Sequence, residues 1–147
     1  MIVYLDSSAL VRSYLTDKVG GTAVRDLISD PAITTVTGSW TRIEVTGALV
    51  RAERTGRFSF AELERAFLRD TATLGGTVLV VDASQAEIES IALAIVRGYG
   101  LRAMDAWHLA CAHVTFGALA ERDEPRAFAT RDAEQARVAR EWGYTVL

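Results

Sequence analysis

Four acidic residues, Asp6, Glu44, Asp105 and Asp132, each stand near the start of a helical pattern. Carboxylates in such places either cap the helix or, when they converge, hold a cation. Asp105 is the most unusual of them. Leu101 to His113 reads as a buried helix, with Met104, Trp107, Cys111 and Val114 in one apolar row and Leu101, Asp105, His108, Leu109 and Ala112 in the next. An ionised Asp on that face loses hydration and needs a cation or strong hydrogen-bond donors. The plainer reading is a first-turn residue favouring the positive end of the helix dipole. Asp6 follows the apolar run Ile2 to Leu5 and leads with Ser7-Ser8 into a helix, which suits either a cap or the carboxyl end of a parallel strand, where open α/β sheets hold ligands. Glu44 closes the capping-box pattern Thr41-Arg42-Ile43-Glu44, yet it shares a helix face with Gly47, Ala48 and Arg51, whose first two members leave room for something to approach. Asp132 repeats the strand-acid-helix pattern after Arg126 to Thr130, with Asp123 in the preceding polar loop as its competitor. Asp82 also follows a strand, but capping by it or by Ser84 explains it fully, and it stays outside the site.

If the four carboxylates converge, each pair about 5 Å apart repels by roughly 3 kcal/mol at an effective dielectric of about 20. A cation must then neutralise the cluster, and oxygen-only ligands select Mg²⁺ or Mn²⁺ over zinc. His108 and His113 are not spaced as a zinc-binding i, i+4 pair and are expected to be satisfied core or surface residues.

Positioning such a cluster requires strands that end on one edge. Apolar or β-branched runs at 2–5, 33–37, 77–81, 126–130 and 144–147 read as strands. Helical patterns follow over 9–15, 22–29, 40–54, 59–73, 86–97, 133–141 and the Asp105 segment, which fades at Gly117. This alternation predicts an α/β fold, a mostly parallel sheet covered on both faces. The helices around Thr55-Gly56-Arg57 form a hairpin standing off the sheet, and its apolar face with Trp40 and Phe58 can serve a partner.

The 147 residues, half of them apolar, suffice for one domain over 1–147, and no linker or repeat divides them. A single cysteine, Cys111, excludes a disulfide framework and fits a reducing cytoplasm. No signal peptide or membrane span is expected. The net charge of −3 argues against bulk electrostatic binding of nucleic acid, although setting aside four metal-bound acids leaves the rest of the chain near neutral.

Tyr4-Leu5-Asp6-Ser7-Ser8-Ala9-Leu10, Trp40-Thr41-Arg42-Ile43-Glu44, Leu101 to Ala110, and Phe128-Ala129-Thr130-Arg131-Asp132 through Gly143-Tyr144 resemble the successive motifs of PIN-domain ribonucleases, nearest the VapC type of toxin-antitoxin pairs. The resemblance spans essentially the whole chain. It implies a three-layer α/β/α sandwich and a Mg²⁺-dependent endoribonuclease that acts on RNA as a homodimer and is silenced by a VapB-type antitoxin. It places Asp6, Glu44, Asp105 and Asp132 in the acidic site, with Ser7 and Thr130 as polar neighbours. An antitoxin helix is expected on the hairpin between about Trp40 and Thr73, sending an Arg or Lys towards the four acids. Two other classes fit parts of the pattern. A Mg²⁺-dependent phosphoryl-transfer protein would use one Asp after the first strand but normally also a lysine near a later strand end, whereas the only lysine here is Lys18. A catalytically silent α/β interaction module would use every acid as a cap.

Overall fold

A computed structural model describes residues 1–15, 20–56 and 58–147; Lys18 and Arg57 lie outside them. Five strands, β1 (Ile2–Leu5), β2 (Thr34–Gly38), β3 (Val78–Val81), β4 (Arg126–Ala129) and β5 (Thr145–Val146), form one sheet in the order β3-β2-β1-β4-β5. Every pairing is parallel, with Tyr4 opposite Val36 on one side and Phe128 on the other.

Side chains alternate across a strand, so β1 feeds two cores. Ile2 and Tyr4 join Val36 and Phe128 against α5 (Gln85–Tyr99), α6 (Ala103–Leu119) and α7 (Ala133–Glu141), burying Ile95, Trp107 and Phe116. Val3 and Leu5 face α1 (Ser7–Tyr14), α2 (Gly21–Ser29), α3 (Thr41–Glu53) and α4 (Phe60–Asp70), burying Leu10, Leu49 and Phe67. The result is the expected three-layer α/β/α sandwich. All four residues of β1 are buried, as a strand covered on both faces requires. The chain runs outward from β1 to β2 and β3 and returns beyond β1 to β4 and β5, so β1 lies at the point where the strand order reverses. Crevices for ligands open there, beyond the carboxyl ends of the strands.

Three expectations change. The α3–α4 hairpin does not stand off the sheet: Val45, Leu49 and Phe67 are buried in the second core and Phe58 packs against it, because α1 lies close enough to share their apolar face. Among the described residues of α3 and its cap, α4 and their turn, the large apolar side chains left exposed are Trp40, Ile43 and Leu68. Helix α6 passes Gly117 and ends at Leu119, since an exposed glycine lowers helix stability without breaking the hydrogen-bond ladder. Strand β2 extends to Gly38, where a Cβ would stand 2.5 Å from the Trp107 ring and 2.8 Å from Cys111 Sγ. Only glycine lets α6 approach the carboxyl end of β2 so closely.

Candidate active site

Asp6 leaves β1 in extended conformation and caps α1, accepting the Ala9 N–H at 2.7 Å. It is 3% exposed. Ser8 Oγ donates to its carboxylate at 2.8 Å, and Thr130 Oγ1 stands 2.7 Å from Oδ2. Burial pushes the Asp6 carboxyl above its usual range, outweighing His108, Ala9, Thr130 and Ser8, which all pull it down.

The protons around Thr130 explain why these partners fall short. Gln135 Nε2 donates to the Asp105 carbonyl at 3.0 Å, which turns Gln135 Oε1 towards Thr130 Oγ1 at 2.5 Å. The Asp132 N–H also points at Thr130 Oγ1, at 3.1 Å. One hydroxyl proton therefore faces two acceptors, Asp6 and Gln135. With Asp6 ionised, one of these two contacts lacks a proton. A buried carboxylate so arranged requires either a proton of its own or a cation.

Asp105 and Asp132 meet across the edge through Arg102, whose Nε donates to Asp105 at 2.7 Å and Nη2 to Asp132 at 2.8 Å. Asp132 also caps α7, accepting the Gln135 N–H at 2.9 Å. Asp105 lies in the first turn of α6 but accepts no capping hydrogen bond; the cap position is Arg102. Arg102 is held by both acids; its hydrogen bond to Asp105, and then the charges of Asp105 and Asp132, raise its pKa.

Glu44 behaves differently. The capping box does not form: Trp40 occupies the cap position without a side-chain bond, and Thr41 pairs its hydroxyl with Thr37. The Glu44 carboxylate instead meets His108 Nε2 at 2.6 Å. Burial alone would push Glu44 up, but His108 and a hydrogen bond from Ser7 hold it below its usual range. On the other side of the ring, His108 Nδ1 lies 3.0 Å from the Tyr4 hydroxyl, which accepts the Gly38 N–H at 3.1 Å. Sequence reasoning treated His108 as a satisfied core residue, and it is both buried and satisfied, but its partner is a site carboxylate. Its place on α6, one turn after Asp105 and on the same row, was the available signal.

All four acids thus stand at the carboxyl edge of the sheet, tied to one another through intermediaries: Arg102 joins Asp105 to Asp132, Thr130 links Asp6 to the loop of Asp132, and His108 fastens Glu44 to the helix of Asp105. Among the described residues no three His, Cys, Asp or Glu side chains form a ready-made metal cage. The donor set nevertheless suits a hard divalent cation. It consists of oxygens only, its central carboxylate is short of positive partners, and two of its members already share the charge of Arg102. Asp123 lines a separate cavity with Met1 and Thr34, at the amino ends of the strands and so at the opposite edge. Beside Glu44 opens a cavity of about 710 Å³, whose lining includes Ser7, Ser8, Gly47, Arg12, Arg51 and Arg131. The room foreseen beside Gly47 and Ala48 is this cavity.

The sequence pattern of the PIN domain matches residues 3–141. The chain belongs to the PIN domain family. PIN domains are generally nucleases and generally use divalent metal ions, and the Asp6 edge is where this PIN domain has the oxygen donors for one. Comparison with curated proteins gives no match. No described helix is long and apolar enough to cross a membrane.

Proposed function

We propose that this PIN domain is a Mg²⁺-dependent endoribonuclease, with Mn²⁺ able to substitute, and that it serves as the VapC-type toxin of a type II toxin-antitoxin pair. The observation that carries the reading is the buried, under-compensated Asp6 at the point of strand reversal, linked through Thr130 and Gln135 to the backbone N–H of Asp132 and the backbone carbonyl of Asp105. Asp6, Glu44, Asp105 and Asp132 would hold the cation, Asp6 and Asp105 as the central pair. When bound, a divalent ion supplies Lewis-acid stabilisation of a phosphodiester and lowers the pKa of an attacking water.

The protein's own residues divide the remaining work. Thr130 and Ser8 fix the Asp6 carboxylate from two sides, and the α1 N-terminus stabilises its charge. Arg51 and Arg131 flank the cavity beside Glu44 and offer guanidinium groups to backbone phosphates, which lets an acidic chain receive an acidic substrate. His108 is no general base for solvent water, because it is 2% exposed and both ring nitrogens are engaged. The substrate class we infer for this cavity is single-stranded RNA, whose unstacked bases and flexible backbone can enter a pocket of about 710 Å³.

The partners follow from the same edge. Arg102 bridging two site acids is the kind of contact an antitoxin's Arg or Lys would make with the pocket, and exposed Trp40, Ile43 and Leu68 offer apolar area on the α3–α4 side. Replacing the antitoxin's basic residue with Ala would then restore some cleavage while leaving most of the affinity, whereas polar substitutions at Trp40 and Ile43 would weaken binding itself. A homodimer acting in the cytoplasm completes the reading.

The deciding experiment follows cleavage of single-stranded RNA by the purified chain with Mg²⁺ and with EDTA, alongside Asp6→Asn and Asp105→Asn. Metal-dependent cleavage lost in both variants supports the proposal. RNA left intact, with no effect of Mn²⁺ on the melting temperature, would favour a silent module whose acids are caps.

A further inference from the structure

The Glu44 carboxylate is held by a buried side chain of α6. Its partner His108 is 2% exposed, and His108 in turn contacts Tyr4, which is completely buried. An imidazole and a phenol are costly to bury unless both are hydrogen-bonded, and a sandwich core could be filled by Leu and Phe at these positions without that requirement. The direction of the hydrogen bonds can be worked out from the backbone. The Gly38 N–H has one proton and donates it to Tyr4 Oη. The Tyr4 hydroxyl then donates its proton to His108 Nδ1, the strongest acceptor within reach. That leaves the ring proton on Nε2, aimed at Glu44 Oε2. Every group along this chain of contacts is then satisfied, and it begins at Gly38, whose missing side chain admits α6.

We propose that Tyr4 and His108 are positioning residues that aim the Glu44 carboxylate at the cation, in the way that hydrogen-bonded outer partners orient metal ligands. The inference rests on the metal-site reading of Glu44 above. His108 Nε2–H fixes Oε2, Ser7 supports the same carboxylate, and Tyr4 selects the tautomer that makes the imidazole contact possible. Phe at position 4 would free the ring to carry its proton on Nδ1 and to turn an acceptor towards the carboxylate.

The test compares His108→Gln with His108→Asn. Both are polar and fit the cavity of the ring, but Gln places its amide N–H near the position of Nε2, whereas Asn places it near Nδ1. Mn²⁺ affinity is measured by calorimetry, alongside kcat, KM and melting temperature. The expected result is that H108N weakens Mn²⁺ binding by about 10-fold and lowers kcat with little change in KM, that H108Q stays close to the unmodified protein, and that Y4F falls between. In a Glu44→Gln background H108N should add nothing. Long-range ¹⁵N–¹H spectra of the metal-free protein should show the His108 proton on Nε2. A purely structural role would lower the melting temperature of both His108 variants and leave Mn²⁺ affinity unchanged, which overturns the proposal, as does a proton on Nδ1 or an H108N effect that persists in full beside E44Q. An unmodified protein that binds no Mn²⁺ overturns the metal site and this inference together, whereas binding that is indifferent to His108 overturns this inference alone.

Discussion

Asp6 and Glu44 reach the same edge of the sheet, yet the two sides of that edge treat a carboxylate in opposite ways. On the β1–β4 side, Asp6 is enclosed by hydroxyls and one backbone N–H, and burial wins: its carboxyl is pushed up. On the β2–α3 side, Glu44 is about one-third exposed, and His108 and Ser7 hold its carboxyl down. The difference teaches that two carboxylates at one sheet edge can be pushed in opposite directions by what each is packed against. At Asp6 the fold buries a carboxylate that its hydroxyl and N–H partners do not fully compensate, whereas at Glu44 an imidazole and a hydroxyl more than offset the cost of burial.

The sharpest way to break the comparison is through activity. Asp6→Asn and Asp105→Asn should each reduce RNA cleavage by at least about 100-fold in single-turnover assays, because both remove a charge a hard cation requires. Full activity in either variant would remove that residue from the site.

Metal addition comes next in size. Mn²⁺ at about 100 times its Kd adds about 2.7 kcal/mol to the folded state, which for a chain of this size raises the melting temperature by roughly 5–10 °C. Superimposed melting curves in EDTA and Mn²⁺ would contradict the account of Asp6.

The pH dependence separates the two acids by sign. Because the Asp6 pKa is raised in the fold, its contribution favours the folded state below the ordinary Asp value of about 3.9 and is lost as the pH climbs through the raised value. In EDTA at neutral pH, D6N should therefore be more stable than the unmodified protein; its amide N–H supplies the proton missing beside Thr130, and Asn still caps α1. The gain should vanish in urea titrations at a pH below about 4. Glu44 runs the other way: its stabilising contact is present above the ordinary Glu value of about 4.3 and fades as the pH falls through the lowered one. E44Q should cost about 1 kcal/mol at neutral pH, and the loss should shrink in acid.

The smallest effect belongs to Arg102. Arg102→Ala removes a largely exposed guanidinium from Asp105 and Asp132, so the melting temperature should barely move while Mn²⁺ affinity rises a few-fold by calorimetry. Weaker Mn²⁺ binding in this variant would mean that Arg102 organises the acids instead of competing for them.

Much of the architecture was legible in the residues. Short apolar runs ending in Asp6 and Arg131-Asp132 marked the strand ends, and helix α7 begins and ends where its pattern does, because alternation of strand and helix periods is a local property of the chain. The capping-box reading of Glu44 was equally local and failed, since a nearby Thr37 and a distant His108 offered Thr41 and Glu44 better partners. The capping reading of Asp6 is correct, and Asp132 caps its helix as well; both stay site candidates, so a capping role does not by itself remove an acid from the site.

Residue types and order along the chain determined that four acids would precede or open helices on one edge of a parallel sheet, because every strand in such a sheet points the same way. Only the tertiary structure decided what each acid meets. Asp6 lies 124 residues from Thr130 and Glu44 lies 64 from His108, separations at which no periodicity carries information. Whether a carboxylate is pushed up or held down depends on which hydroxyl, ring or guanidinium the packing of α6 against Gly38 and of β4 beside β1 brings within 3 Å of it.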